Sequence, residues 1–76
     1  MSNLNIEICS YINKEWITKW EGSIRSFADE HDVDEKTVRQ IIDIKNTPYK
    51  IGLYTLENMC TARGIKLEAF FRLINR

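Results

Sequence analysis

The sequence predicts an all-α chain folded as a compact five-helix bundle, and three observations carry that expectation. Three glycines and one proline interrupt 76 residues, too few for the many tight turns of a small β fold. Apolar residues recur at three- and four-residue spacings, as they do on helices with one buried face. Capping signals separate these stretches at short intervals. The length suits one domain, residues 1–76, near the small end of what a core stabilises without staples.

From 4 to 20, Ile8, Ile12, Trp16 and Trp20 recur every four residues, with Cys9 and Ile17 alongside, so one helix with a buried stripe is expected. Its opening, LNIEI, also alternates as a strand would, and Gly22 ends the element. Ser23 is placed to cap a short helix over 24–31 that buries Ile24, Phe27 and Ala28. Asp34 is the expected cap of a third helix, with Val33 and Val38 at the positions of a hydrophobic staple. Asn46-Thr47-Pro48 breaks that helix, and residues 47–52 read as a loop. A fourth helix over 53–63 is expected to bury Leu53, Leu56, Met59 and Cys60. Gly64 follows as a left-handed C′ residue, with Ile65 packing back. A fifth helix spans 67–74, with Leu67, Phe70, Phe71 and Ile74 inward.

Composition narrows the function. Eleven basic residues balance eleven acidic ones, which argues against a non-specific nucleic-acid coat protein but leaves room for a local basic patch. The charge is unevenly placed. Residues 29–35 hold Asp29, Glu30, Asp32, Asp34 and Glu35, whereas 36–50 hold Lys36, Arg39, Lys45 and Lys50 against Asp43 alone. Cys9 and Cys60 are far apart and His31 is the sole histidine, so two buried free thiols are expected and no zinc site. No apolar run has the length of a signal peptide or a membrane span, so a cytoplasmic protein is expected.

The third helix has the most informative surface. At roughly 100° per residue, Lys36, Arg39, Gln40 and Asp43 share one face, opposite Val38, Ile41 and Ile42. Arg and Lys donate to guanine, and Gln pairs with adenine, so this face has the chemistry of major-groove readout. Charged fronts on amphipathic helices usually only solvate. A capped short helix, a tight turn and then this helix, however, form the layout of helix-turn-helix proteins.

SIRSFADEHDVDEKTVRQI, residues 23–41, resembles the helix-turn-helix of the lambda repressor/Cro-like group, the XRE family. Ala28 matches the small residue where the two motif helices cross. Val33 matches the apolar residue after the turn, and Val38 and Ile41 match buried positions of the recognition helix. YTLENMCTARGIKLEAFF, residues 54–71, resembles that family's fourth and fifth helices, and the likeness extends over 23–74. It implies a lambda repressor-like bundle with motif helices over 23–31 and 35–45, and a sequence-specific, double-stranded-DNA-binding transcriptional regulator. Glu35, Lys36, Thr37, Arg39 and Gln40 fall at base-facing positions, while Ser23, Arg25, Lys45, Asn46, Tyr49 and Lys50 flank the DNA backbone. Relatives often bind as dimers, so a homodimer is expected, with no small-molecule cofactor.

The departures are specific. Asp32 replaces the usual turn glycine, and Asp tolerates the left-handed conformation better than most residues. Ile44 stands near the usual helix-ending glycine, which would let the third helix run on towards Asn46. Ile42 and Ile17 stand where relatives often have an ion pair, and Lys66 stands where a Ser or Thr caps the fifth helix. Zero net charge and the acidic run motivate a second reading, a protein-interaction module such as an antirepressor- or antitoxin-like adaptor. An enzyme is not expected. Asp29, Glu30, His31 and Asp32 lack a nucleophile, phosphate loop or metal set beside them, and His31 reads as a solvated residue or one that stabilises the dipole at the helix C-terminus.

Overall fold

The computed structural model describes residues 3–74. Among them are five α-helices: α1 (Leu4–Tyr11), α2 (Ile24–Glu30), α3 (Glu35–Ile42), α4 (Leu53–Ala62) and α5 (Leu67–Leu73). They form an all-α bundle with a radius of gyration of 11.5 Å, the value of about 11 Å expected for a compact chain of this length. No helix among the described residues is long and apolar enough to cross a membrane.

Helix α1 is helical from Leu4, because the Asn3 side chain accepts the Ile6 N–H at 3.2 Å. It continues as a π-helix over Ile12–Ile17, closed by Thr18 N–H donating to the Asn13 carbonyl at 2.9 Å. The four-residue spacing of Ile8, Ile12 and Trp16 explains the change of winding. Four α-helical residues overshoot a full turn by about 40°. A wider i→i+5 turn undershoots it, so joining the two keeps the stripe on the core. Ile8, Ile12 and Trp16 are all buried.

Both ends of α2 are specified locally. Ser23 Oγ accepts from Ser26 N–H at 3.1 Å, and Ser26 Oγ accepts from Trp20 Nε1–H at 2.9 Å. A Cβ on Gly22 would stand 2.6 Å from Ser26 Oγ, so glycine is what lets the incoming chain approach this network. At the other end Val33 N–H donates to the Ala28 carbonyl at 3.0 Å, with Asp32 at φ 55°. That is a Schellman closure with aspartate in the glycine's place. Helix α4 closes in the same way through Gly64 at φ 72°, with Ile65 N–H donating to the Cys60 carbonyl at 3.0 Å.

The core contains Ile8, Cys9, Ile12, Trp16, Phe27, Ala28, Val38, Ile41, Ile44, Leu56, Met59, Cys60 and Phe70. Tyr11, Trp16 and Phe70 meet edge to face at 5.4–6.0 Å, the arrangement that aromatic quadrupoles favour. Both thiols are free and buried. Burial pushes Cys9 up to about 11 and Cys60 upwards as well, so both stay protonated.

Four expectations need correction. Leu53 is 69% exposed, because it is the first residue of α4 and projects beyond the core that begins one turn later at Leu56. Ile42 is exposed, because α3 stops there and a single 3₁₀ turn, Ile44–Asn46, brings Ile44 inward instead. The third helix therefore does not continue to 45 as an α-helix. Asp34 occupies the N-cap of α3, but its carboxylate makes no capping bond.

Candidate functional site

The outer face of α3 is set by what lies behind it. Val38 and Ile41 are fully buried, so the helix cannot roll, and Lys36 and Arg39 face outward while Gln40 is half-exposed. Arg39 Nη2 donates to Glu35 Oε2 one turn back. The guanidinium is thus oriented along the helix by its own carboxylate. Lys36 has no ion-pair partner among the described residues. Glu35, Lys36, Arg39 and Gln40 form one continuous edge of donors with a single carboxylate among them.

Thr37 stands apart from that edge. It lines a cleft with Asp32, Asp34, Tyr54, Thr55 and Asn58, between the α2–α3 turn and the start of α4. Asn58 Nδ2 donates to the Asp32 carbonyl at 3.3 Å across the same cleft. The turn's carboxylates, Asp29, Glu30, Asp32 and Asp34, are all exposed and have no ion-pair partner among the described residues.

The residues expected to flank a phosphate backbone divide into two places. At the start of α2, Ser23 Oγ is engaged in capping and Arg25 is exposed. Beyond α3, Lys45, Tyr49 and Lys50 line a groove with Asn3, Asn5 and Thr47. The described residues that line it include no Asp or Glu. Lys45 and Lys50 are exposed there. Asn46 lies beside the groove, its amide donating to Asp43 Oδ1 at 2.8 Å. Tyr49 is half-buried against the core. Burial holds its phenol above the ordinary range, opposed by a hydrogen bond with Thr55.

His31 overturns its expected place in solvent. It is buried, stacked on the Phe27 ring at 3.8 Å between centroids. Its Nδ1 lies 2.8 Å from the Phe27 carbonyl, and its Nε2 lies 3.0 Å from Arg63 Nη1. A carbonyl only accepts and a guanidinium only donates, so the ring is the neutral Nδ1–H tautomer. Burial, and secondarily the Arg63 charge, hold its pKa below the ordinary value. Because the ring points inward while Asp29, Glu30 and Asp32 face water, these four do not converge into an acid–base site. Arg63 also lies 4.8 Å over the Trp16 ring, a cation–π contact that ties the end of α4 to the first helix.

Sequence reasoning missed Asn5. Its Nδ2 donates to the Tyr49 carbonyl at 2.9 Å, and its Oδ1 accepts from Ile51 N–H at 2.8 Å. Those partners lie 44 and 46 residues away, so no local pattern announces the contact. Comparison of the chain with protein-family models, with curated proteins and with solved structures finds no match.

Proposed function

We propose that this chain is a sequence-specific double-stranded-DNA-binding domain of the lambda repressor/Cro-like type, acting in transcriptional regulation. Helix α3 enters the major groove with Lys36, Arg39 and Gln40 toward base edges. Lys45 and Lys50, with Ser23 and Arg25 on the other side, hold the phosphate backbone. The supporting observation is the edge itself. An outward row of long donors is locked in rotation by fully buried Val38 and Ile41, directly after a tight turn from a capped helix. In this reading Thr37 contributes to the turn–α4 cleft, and Asn46 and Tyr49 shape the backbone-facing loop.

Selection of bound sequences from a randomised duplex pool tests the proposal, followed by Arg39→Ala on the selected site. The expected outcome is a loss of about 1–3 kcal/mol with preference relaxed at one base pair. An equal loss on every duplex would exclude direct readout by Arg39.

A second reading, a protein-interaction module on the same scaffold, is favoured by the exposed carboxylates around the turn, Asp29, Glu30, Asp32 and Asp34. Recovery of no duplex at low salt would select it over the first.

A further inference from the structure

Residues 47–52 have no regular secondary structure, yet they carry Tyr49 and Lys50 beside Lys45. A free loop would hold a lysine in many positions, and each would have to be given up on binding a phosphate. Here Asn5, on the first turn of α1, grips two consecutive peptide units. Its amide donates to the Tyr49 carbonyl and its oxygen accepts from Ile51 N–H, as a neighbouring strand would. Lys50 is the residue between the two gripped units, so its peptide is held from both sides while its side chain is exposed. The clamp itself is sheltered: Asn5 is half-buried. Tyr49, packed against the core, fixes the loop from the core side.

We propose that Asn5 is a positioning residue for the phosphate-contacting loop, holding Lys50 and the groove around Lys45 in the geometry a duplex backbone meets. This rests on the DNA-binding reading and deepens it. The groove supports a polyanion as the occupant, because Lys45 and Lys50 line it with Asn3, Asn5 and Thr47 and with no carboxylate among its described lining residues. Asn5 acts through Lys50 and touches no base, so its loss lowers affinity without changing which sequence is preferred.

The test is a double-mutant cycle between Asn5→Ala and Lys50→Ala, read as duplex affinity over a salt series on the selected site and on an unrelated duplex. In the wild-type background Lys50→Ala is expected to weaken both complexes and to reduce the salt slope by about one. Asn5→Ala is expected to weaken both about tenfold, leaving their ratio unchanged. In the Asn5→Ala background, Lys50→Ala then adds little. Hydrogen exchange at the Ile51 amide is expected to speed up at least tenfold in Asn5→Ala, with helix content retained. Asn5→Ser, which removes the amide and adds no charge to the groove, serves in place of an Asn5→Ala chain that does not fold. It is expected to show the same coupling to Lys50. Additive losses, or unchanged Ile51 exchange, overturn the inference while leaving DNA binding in place. A wild-type chain that binds no duplex overturns the DNA-binding reading and the inference together.

Discussion

Glu35 and Arg39 decide how the outer edge of α3 meets a ligand. An exposed i, i+4 pair adds only about 0.3–0.5 kcal/mol to a helix, so its importance for stability is small. Its importance for recognition is larger, because Arg39 reaches a base either by leaving Glu35 or by bringing the carboxylate along. Near a phosphate backbone that carboxylate repels, and it is tolerated best where the right base rewards the guanidinium. Glu35→Gln is therefore expected to tighten binding to all duplexes by about 2–5-fold, and unrelated duplexes by more than the selected one. Parallel titrations on the two duplexes check this. Equal tightening on both duplexes would show that Glu35 has no part in discrimination.

At the scale of elements, the α2–α3 connection occupies residues 31–34 and is closed by hydrogen bonds from Asp32 and Val33 back to Asp29 and Ala28. The closure needs a left-handed residue, and Asp32 supplies it at φ 55° against the steric cost of a Cβ there. Asp32→Gly removes that cost, offset in part by the greater freedom of glycine in the unfolded chain. The substitution is expected to raise stability by about 0.5–1 kcal/mol in chemical denaturation, with helix content unchanged. A loss of stability would show that the carboxylate matters more to this turn than the backbone angle does.

For the whole molecule, His31 ties the end of α2 to the end of α4 while neutral. Three neighbours set its behaviour: the Phe27 carbonyl, the Arg63 guanidinium and the more distant Glu30 carboxylate. Protonation in place would remove the acceptor for Arg63 and set two cations together. Its folded pKa is depressed, so the unfolded chain takes up the proton first, near the ordinary value of about 6.5. The stabilisation is fully present above that pH and is lost as pH falls from there through the folded pKa. Its slope reaches at most about 1.4 kcal/mol per pH unit. Thermal unfolding between pH 7.5 and pH 5 is expected to show this fall, and His31→Phe is expected to flatten it. An equal slope in both proteins would assign the fall to the carboxylates instead.

Much of the scaffold was legible because its determinants are local. Ser23 capping α2, Gly64 closing α4, the break before Pro48 and the inward faces of α2, α4 and α5 each depend on residues within one or two turns. The outward placement of Lys36 and Arg39 followed from the periodicity of α3 in the same way. The errors arise where position in the bundle outweighs pattern. Leu53 has a core spacing but lies past the rim, and His31 looks terminal but is drawn inward by the Phe27 ring and by Arg63, 32 residues away. By itself the sequence determined an all-α chain, the Ser23 cap of α2 and the outward placement of Lys36 and Arg39 on α3. Only the tertiary structure decided that Asn5 grips the loop 44 residues on and that Thr37 turns into a cleft with α4. Periodicity specifies which face of a helix is apolar, whereas these contacts depend on which elements come to lie beside it.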